Sequence, residues 1–101
     1  ALLYPSALEG FGFPPLEALE LGIPAIVGEC PSLRESCGDA ALFVNGCEAD
    51  DIAAAIERVL DDPSVRASSI QAWRTRRDRF TWARCAESYR AFWQRALGAR
   101  R

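Results

Sequence analysis

Short apolar runs alternate with helical stretches in the first half of the chain. Residues 1–4, 25–27 and 41–44 form three such runs, each followed by a proline, glycine or asparagine. Runs this short, and apolar on both faces, are typical of buried parallel strands, although a buried helix segment has the same composition. The flanking turn residues favour strands.

Two helices are predicted between these strands. The first covers about residues 15–21, because it opens with a proline and Gly22 suits the left-handed position after the last turn. Ser32 is predicted to cap the second helix, which ends near Gly38. The resulting order of strand, helix, strand, helix and strand is typical of a doubly wound, Rossmann-like α/β sheet.

The second half predicts three helices. Asp50 or Asp51 is expected to cap a helix that stops at Pro63, where a second helix begins and runs toward Phe80. Thr81 is expected to cap the last helix, which carries one apolar stripe. The stripe consists of Trp82, Cys85, Ala86, Tyr89, Trp93, Ala96 and Leu97. Core packing is the simpler interpretation of this stripe, and docking on another domain is the alternative.

The predicted sheet is small, and its first strand starts at residue 1. An open parallel edge is a hazard in a complete protein, so we expect further strands to precede Ala1 in a longer chain. Residues 1–101 then form part of one α/β domain with a helical C-terminal tail.

Charge is distributed very unevenly along the chain. Residues 1–62 hold twelve acids and two arginines, and residues 63–101 hold two acids and ten arginines, so the two parts carry −10 and +8. A basic tail can contact phosphate or anionic lipid, but a tail that packs against the acidic part explains the same pattern. No nucleic-acid-binding motif is present. No apolar run approaches the roughly 18 residues of a membrane span. We therefore expect a cytoplasmic protein, soluble or peripheral at the inner face of the membrane.

The chain has four cysteines and no histidine. The cysteine spacing matches no zinc motif, so buried reduced thiols are expected rather than disulfides or a metal site. Without histidine, the commonest general base is absent. Among the charged side chains, Glu20 and Glu29 are expected to be solvated and Arg34 to pair with Glu35 at the surface.

The residues that could perform chemistry lie between the first strand and the first helix. Ligands of open α/β sheets bind at this edge, and a helix N-terminus favours phosphate. Gly10 and Gly12 allow close approach of a ligand, while Glu9 in the loop and Glu17 in the first helical turn can accept bonds from sugar hydroxyls. This arrangement predicts a nucleotide-sugar site. Alternatively, Glu17 only stabilises the helix dipole and the glycines only form a turn.

Residues 5–19 (PSALEGFGFPPLEAL) and 22–26 (GIPAI) resemble the donor-site motif of the GT4 family, or group 1, of glycosyltransferases. The hallmark of that motif is a pair of glutamates separated by seven residues, which is the spacing of Glu9 and Glu17. The resemblance continues, in order, through residues 33–35, 38–42, 61–63 and 79–82. It therefore spans nearly the whole chain.

The resemblance implies the C-terminal half of a GT-B fold, which binds the nucleoside-diphosphate sugar. It also implies retaining transfer of a hexose, with mannose from GDP-mannose as the candidate, to a glycan or lipid-linked acceptor, with no metal cofactor. By position, Glu9 would be the catalytic contact to the transferred sugar and Glu17 would hold the ribose. The remaining donor-binding residues would be Gly10, Phe11, Gly12 and Leu16.

In this family an N-terminal domain completes the enzyme, and an Arg/Lys pair upstream of this segment neutralises the leaving diphosphate. The last helix often crosses back to that domain. The resemblance therefore implies that residues 1–101 are inactive alone and have two partners, the donor and the missing N-terminal domain. The ten arginines of the tail make an anionic membrane surface a third candidate partner. A non-catalytic nucleotide-binding, sugar-binding or interaction module of the same fold is the alternative.

Overall fold

Three parallel strands form the central sheet of the computed structural model, which describes residues 1–46 and 48–99. They are β1 (Leu2–Tyr4), β2 (Ala25–Gly28) and β3 (Leu42–Val44), in the spatial order β1-β2-β3. Each pair is in parallel register, with Leu3 opposite Ile26 on one side of β2. All four residues of β2 are buried, as expected of a parallel strand covered on both faces. The three predicted strands are confirmed.

Five α-helices surround or extend this sheet in the described residues. They are α1 (Phe13–Glu20), α2 (Pro31–Cys37), α3 (Ala49–Asp61), α4 (Pro63–Arg76) and α5 (Trp82–Gly98). Short 3-10 turns follow α2 and α4, at Gly38–Ala40 and Arg77–Arg79. The predicted order of elements is confirmed.

The side chains of β2 alternate between two apolar cores. Ala25 and Val27 join a core with Leu19 of α1, Leu33 of α2 and Trp73 of α4. Since successive strand residues point to opposite faces, the intervening Ile26 meets Val44 of β3 and Val59 of α3 in a second core. The helices therefore cover both faces of the sheet, which is the predicted doubly wound arrangement.

Two of the predicted helix ends are confirmed by their backbone geometry. Gly22 follows α1 with a φ of 75°, in the left-handed region that glycine adopts without strain. Thr81 caps α5, because its hydroxyl oxygen accepts the N–H of Arg84 at 3.2 Å.

The predicted cap of α3 is wrong. Glu48 occupies the N-cap position without a side-chain hydrogen bond, and both candidate aspartates lie within the first turn of the helix. Asp51 Oδ2 instead accepts the main-chain N–H of Asn45 at 2.6 Å. The carboxylate thus fastens the loop after β3 to α3 rather than closing the end of the helix.

Helix α5 leaves the body of the molecule, so core packing is the wrong interpretation of its apolar stripe. No residue of α5 is buried, and Trp82 is 87% exposed. The radius of gyration is 16.6 Å, whereas a compact chain of this length has about 13 Å. None of the helices in the described parts of the chain is long and apolar enough to cross a bilayer.

Two of the cysteines are buried free thiols, as expected. Cys30 and Cys37 lie in the core around α2, and burial raises the pKa of the Cys37 thiol. Cys85 is a free thiol on exposed α5, which differs from the expected burial. Cys47 lies outside the described residues.

Arg34 does not pair with Glu35 but with Glu29. Its Nε and Nη2 atoms donate to the two Glu29 carboxylate oxygens at 2.7 and 2.5 Å. The same guanidinium lies 3.7 Å from the centre of the Phe43 ring. Both charged side chains are about half exposed, so this pair contributes little to stability.

Candidate functional site

The loop of residues 5–12 lies directly on the carboxyl ends of the strands. A Cβ atom at Gly28, the last residue of β2, would be 2.1 Å from the Ser6 carbonyl oxygen. At Gly46, after β3, it would be 2.5 Å from the Pro5 oxygen. Only glycine permits such backbone contacts. Sequence reasoning treated these two glycines as ends of apolar runs and missed their role in seating the loop.

Gly12 is the N-cap of α1, and the helix therefore begins two residues earlier than predicted. Gly12 has a φ of 84°, and a Cβ there would approach Leu33 Cδ2 to 2.3 Å, so the position excludes larger residues without rearrangement. The helix begins at Phe13, which places Glu17 in the second turn. The prediction that Glu17 lies in the first turn is therefore wrong. The helix begins before its two prolines rather than at the second of them, because prolines are tolerated in the first turn.

Four consecutive main-chain N–H groups are unpaired at this end of α1. Within the described residues, those of Gly10, Phe11, Gly12 and Phe13 donate to no acceptor. The next two residues are prolines and have no N–H. Adjacent free N–H groups at a helix N-terminus attract anions, because their dipoles and the helix dipole favour negative charge. The loop can therefore donate to a phosphate or to sugar oxygens.

Glu9 is fixed in the loop by hydrogen bonds from two other elements. Tyr4 Oη, at the end of β1, donates to Glu9 Oε1 at 2.8 Å. Ser32 Oγ, in the first turn of α2, donates to the Glu9 carbonyl oxygen at 2.8 Å. The predicted capping role of Ser32 is wrong, because Cys30 takes the N-cap position without a side-chain bond and Ser32 bonds outward instead.

The carboxylate of Glu9 is held in its ionised form. Hydrogen bonding by the Ser6 hydroxyl and then by the Tyr4 phenol lowers the pKa of Glu9, and slight desolvation opposes them. The Ser6 hydroxyl also donates to the Leu8 carbonyl oxygen at 3.1 Å, and its single hydrogen can serve only one acceptor at a time. Glu9 is therefore an anion at neutral pH, able to accept hydrogen bonds or stabilise positive charge.

A cleft of about 900 Å³ lies between α1, the end of α4 and the start of α5. Three predicted site residues, Phe11, Leu16 and Glu17, line this cleft. The other three, Glu9, Gly10 and Gly12, are not among the described residues that line it. The structure thus places Glu17 on a cleft wall and Glu9 beside the carboxyl ends of β1 and β2.

Aromatic rings connect the loop to the segment that precedes α5. Phe11 lies 4.8 Å from Phe13 and 5.8 Å from Phe80, measured between ring centres. Phe80 in turn stacks on Trp73, with ring centres 6.1 Å apart. The position of Phe11 therefore depends on Trp73 of α4 and on Phe80, two residues before α5, although they lie about 60 to 70 residues away in sequence.

Glu20 is about half exposed, as expected, and it also anchors α1 to α4. Its Oε2 atom accepts the indole N–H of Trp73 at 2.8 Å, and its Oε1 atom accepts Arg77 Nη1 at 3.1 Å. Arg77 and Glu20 form an ion pair between the acidic part of the chain and the basic tail. No short sequence motif signals this contact, because its partners are more than 50 residues apart.

No group of three or more histidine, cysteine, aspartate or glutamate side chains is placed to hold a metal ion in residues 1–46 and 48–99. The expectation that no metal cofactor is needed stays a prediction.

The profile of the family described as glycosyl transferases group 1 matches residues 1–76, which include the loop, α1 and the whole sheet. The chain belongs to this family. Membership confirms the resemblance found in the sequence, and it covers both glutamates and the unpaired N–H groups between them.

Relatives in the family include enzymes named for mannose transfer. The chain is 37% identical over 83 residues to O-antigen chain mannosyltransferase B of Escherichia coli, a match that covers 82% of this chain and 22% of that protein. It is 34% identical over 103 residues to D-inositol 3-phosphate glycosyltransferase of Pseudarthrobacter chlorophenolicus, covering 96% of this chain and 24% of that one. The chain thus spans less than a quarter of the length of these relatives.

A solved structure confirms the predicted fold class. Sucrose-phosphate synthase from Thermosynechococcus elongatus superposes on 96% of this chain with a TM-score of 0.82 and 27% sequence identity. The match covers 25% of that protein. The α/β unit with its helical tail therefore corresponds to one part of a larger GT-B glycosyltransferase.

Proposed function

We propose that this chain is the donor-binding part of a longer retaining glycosyltransferase. That enzyme transfers a hexose, with mannose as the first candidate, from a nucleoside-diphosphate sugar to a glycan or lipid-linked acceptor. The observation that carries the proposal is the row of unpaired N–H groups from Gly10 to Phe13, with Glu9 before it and Glu17 on the helix after it. Membership of the group 1 family supports the same reaction class.

Each part of the site has a chemical task in this reaction. The unpaired N–H groups donate to oxygens of the diphosphate and of the transferred sugar. Glu17, exposed on α1, accepts the two ribose hydroxyls, since one carboxylate can accept both. Glu9 contacts the transferred sugar and stabilises the positive charge that develops at the anomeric carbon.

The choice of mannose follows the relatives. Two of them are named O-antigen chain mannosyltransferase B and O-antigen chain mannosyltransferase RfbU, the latter 41% identical to this chain over 65 residues. GDP-mannose is therefore the first donor to test, with UDP and ADP sugars beside it. We further propose that residues 1–101 show no transfer alone, because an N-terminal domain supplies the acceptor site and the cations that neutralise the diphosphate.

The test compares donor kinetics of the longer enzyme with and without Glu17. Glu17→Ala is expected to raise the donor KM by about tenfold while kcat changes little, because hydrogen bonds to the ribose are formed equally in the ground and transition states. Glu35→Ala is the control, since that carboxylate lies exposed on α2. An unchanged donor KM in Glu17→Ala would reject the ribose assignment. Absence of transfer from every nucleotide sugar by the wild-type enzyme would favour a non-catalytic binding module.

Helix α5 supports two further contacts of the longer enzyme. Trp82, Tyr89 and Trp93 are exposed on one face of the helix, and we propose that this face docks on the N-terminal domain. Arg84 and Arg95 are eleven residues, or about three turns, apart and therefore lie on one line along the helix. Helical geometry places this line opposite the aromatic face. We propose that this second face contacts anionic lipid headgroups at the inner face of the membrane.

Co-sedimentation with anionic liposomes tests the lipid contact. Removing both arginines (Arg84→Gln with Arg95→Gln) is expected to weaken binding about tenfold or more at low salt, at roughly 1 kcal/mol for each basic residue near the surface. Arg34→Gln with Arg58→Gln changes the net charge equally, but in the acidic part of the chain, and serves as the control. Equal loss in both double variants, or binding that is indifferent to salt, would contradict a specific basic face.

A further inference from the structure

Glu9 lies in a loop that has no regular secondary structure, yet both its side chain and its main chain are held. We propose that Tyr4 and Ser32 are positioning residues, which fix the Glu9 carboxylate and the Glu9 backbone for the transfer reaction. This inference rests on the proposed function, because it assigns the role of Glu9 in catalysis. It concerns two residues outside the motif that carries the family resemblance to the donor site.

Tyr4 fixes the carboxylate from the sheet. It is the last residue of β1 and is paired with Val27 of β2, so its backbone is held in the sheet. Its side chain is partly buried against the core that contains Val27 and Leu33. The phenol donates to Glu9 Oε1 at 2.8 Å, a charge-assisted bond that restricts the rotamers of the glutamate. A carboxylate has about four acceptor positions, so one such bond leaves others for a substrate.

Ser32 fixes the backbone from α2. Its hydroxyl donates to the Glu9 carbonyl oxygen at 2.8 Å and lies 3.4 Å from Cys30 Sγ, at the buried start of the helix. The bond joins positions 23 residues apart in sequence. Ser32 does not cap its own helix, because α2 begins at Pro31 and Cys30 occupies the N-cap position. The bond thereby holds the peptide between Glu9 and Gly10, which carries the first of the free N–H groups.

These two bonds at Glu9 matter because no side-chain packing holds the neighbouring residue. Gly10 has no side chain, and a Cβ there would meet nothing within 4 Å, so packing does not hold this part of the loop. A catalytic carboxylate that samples several positions loses rate, since only the productive geometry stabilises the transition state. Tyr4 on the sheet and Ser32 on α2 therefore hold Glu9 in place where side-chain packing does not.

The two tethers predict different kinetic signatures in the longer enzyme. Tyr4→Phe and Ser32→Ala are each expected to lower kcat about tenfold, the scale of one hydrogen bond, with little change in donor KM. Tyr4→Phe also removes a bond to the ionised carboxylate, which raises the pKa of Glu9 toward its ordinary value. The acid limb of the kcat profile then moves to higher pH in Tyr4→Phe. The acid limb stays at the same pH in Ser32→Ala, because the bond lost there goes to the Glu9 carbonyl oxygen and not to the carboxylate.

The titratable groups that face this carboxylate are few. Tyr4 on β1 is the nearest, and the Cys30 thiol at the start of α2 acts on Tyr4 in turn. The phenol keeps its proton at the pH values of the assay, because its bond to Glu9 and the charge of Glu9 raise the pKa of Tyr4. A shift of the acid limb in Tyr4→Phe therefore reports the carboxylate of Glu9.

Controls separate positioning from a general loss of stability. Ser32→Thr keeps the hydroxyl and is expected to restore most of the turnover lost in Ser32→Ala. Ser68→Ala removes an exposed hydroxyl on α4 and is expected to leave kcat unchanged. Melting temperatures of all variants are measured in parallel. A loss of kcat that follows the melting temperature, with no rescue by threonine and no shift of the acid limb, overturns the proposal.

Glu9→Gln distinguishes the failure of this inference from the failure of the proposed function. Wild-type turnover in both Tyr4→Phe and Ser32→Ala, together with a large loss in Glu9→Gln, shows that Glu9 acts without these tethers. Wild-type turnover in Glu9→Gln itself rejects the catalytic role of Glu9, and the tethering proposal with it.

Discussion

Trp73→Ala should lower the free energy of unfolding of this chain by about 3–5 kcal/mol, the usual cost of deleting a buried tryptophan. The indole is 5% exposed and belongs to the core between α1, α2 and the sheet. It also stacks on Phe80 and donates its N–H to Glu20, and all of these contacts disappear in alanine. Because small domains have only about 5–15 kcal/mol of stability, the variant should lose a large part of it.

The matched control for this prediction is Trp82→Ala. Trp82 is 87% exposed at the start of α5, so its removal from the isolated chain should change the free energy of unfolding by less than about 0.5 kcal/mol. Urea denaturation followed by circular dichroism measures both variants and does not depend on tryptophan fluorescence. Similar losses in the two proteins would mean that α5 packs against the body, contrary to the structure.

Glu9→Gln should lower kcat of the longer glycosyltransferase by about two to three orders of magnitude, the scale seen when one preorganised electrostatic group is removed from an active site. Glutamine has the same shape and can keep the bond from the Tyr4 phenol, but it carries no charge for the developing oxocarbenium ion. The donor KM should change far less than kcat, because the interaction is strongest in the transition state.

Steady-state kinetics at saturating acceptor measure this effect, and Glu29→Gln is the matched control. Glu29 lies just after β2 and its carboxylate is already paired with the Arg34 guanidinium, so its loss should leave kcat within about twofold. A Glu9→Gln enzyme with higher donor KM and normal kcat would assign Glu9 to ground-state binding. The catalytic role proposed for this residue would then be wrong.

Much of the architecture could be predicted because local signals agreed with the tertiary structure. The three parallel strands, the left-handed glycine after α1 and the cap at Thr81 follow from residue types at neighbouring positions. The family could be identified because the donor motif is contiguous in sequence. Its two glutamates, glycines and helix start fall within residues 9–17.

The predictions that failed depended on partners distant in sequence. Ser32 looked like a helix cap, but α2 begins before it, at Pro31, and its hydroxyl donates to the Glu9 carbonyl 23 residues away. Glu20 is half exposed as expected, but its bonds to the Trp73 indole and the Arg77 guanidinium could not be predicted, because these partners are more than 50 residues away. Periodicity identified the apolar stripe of α5 correctly, but it carries no information on whether anything in the same chain covers that face.

The sequence by itself determined the order of strands and helices and the family, and it singled out the loop that we propose binds a donor. These follow from turn chemistry, hydrophobic period and a continuous motif, all of which act over a few residues. Only the tertiary structure decided how that loop is held: the glycine contacts beneath it, the bonds of Tyr4 and Ser32 to Glu9, and the aromatic rings beside Phe11. Each of these joins separate elements, because the parallel sheet brings the carboxyl ends of its strands together at one edge.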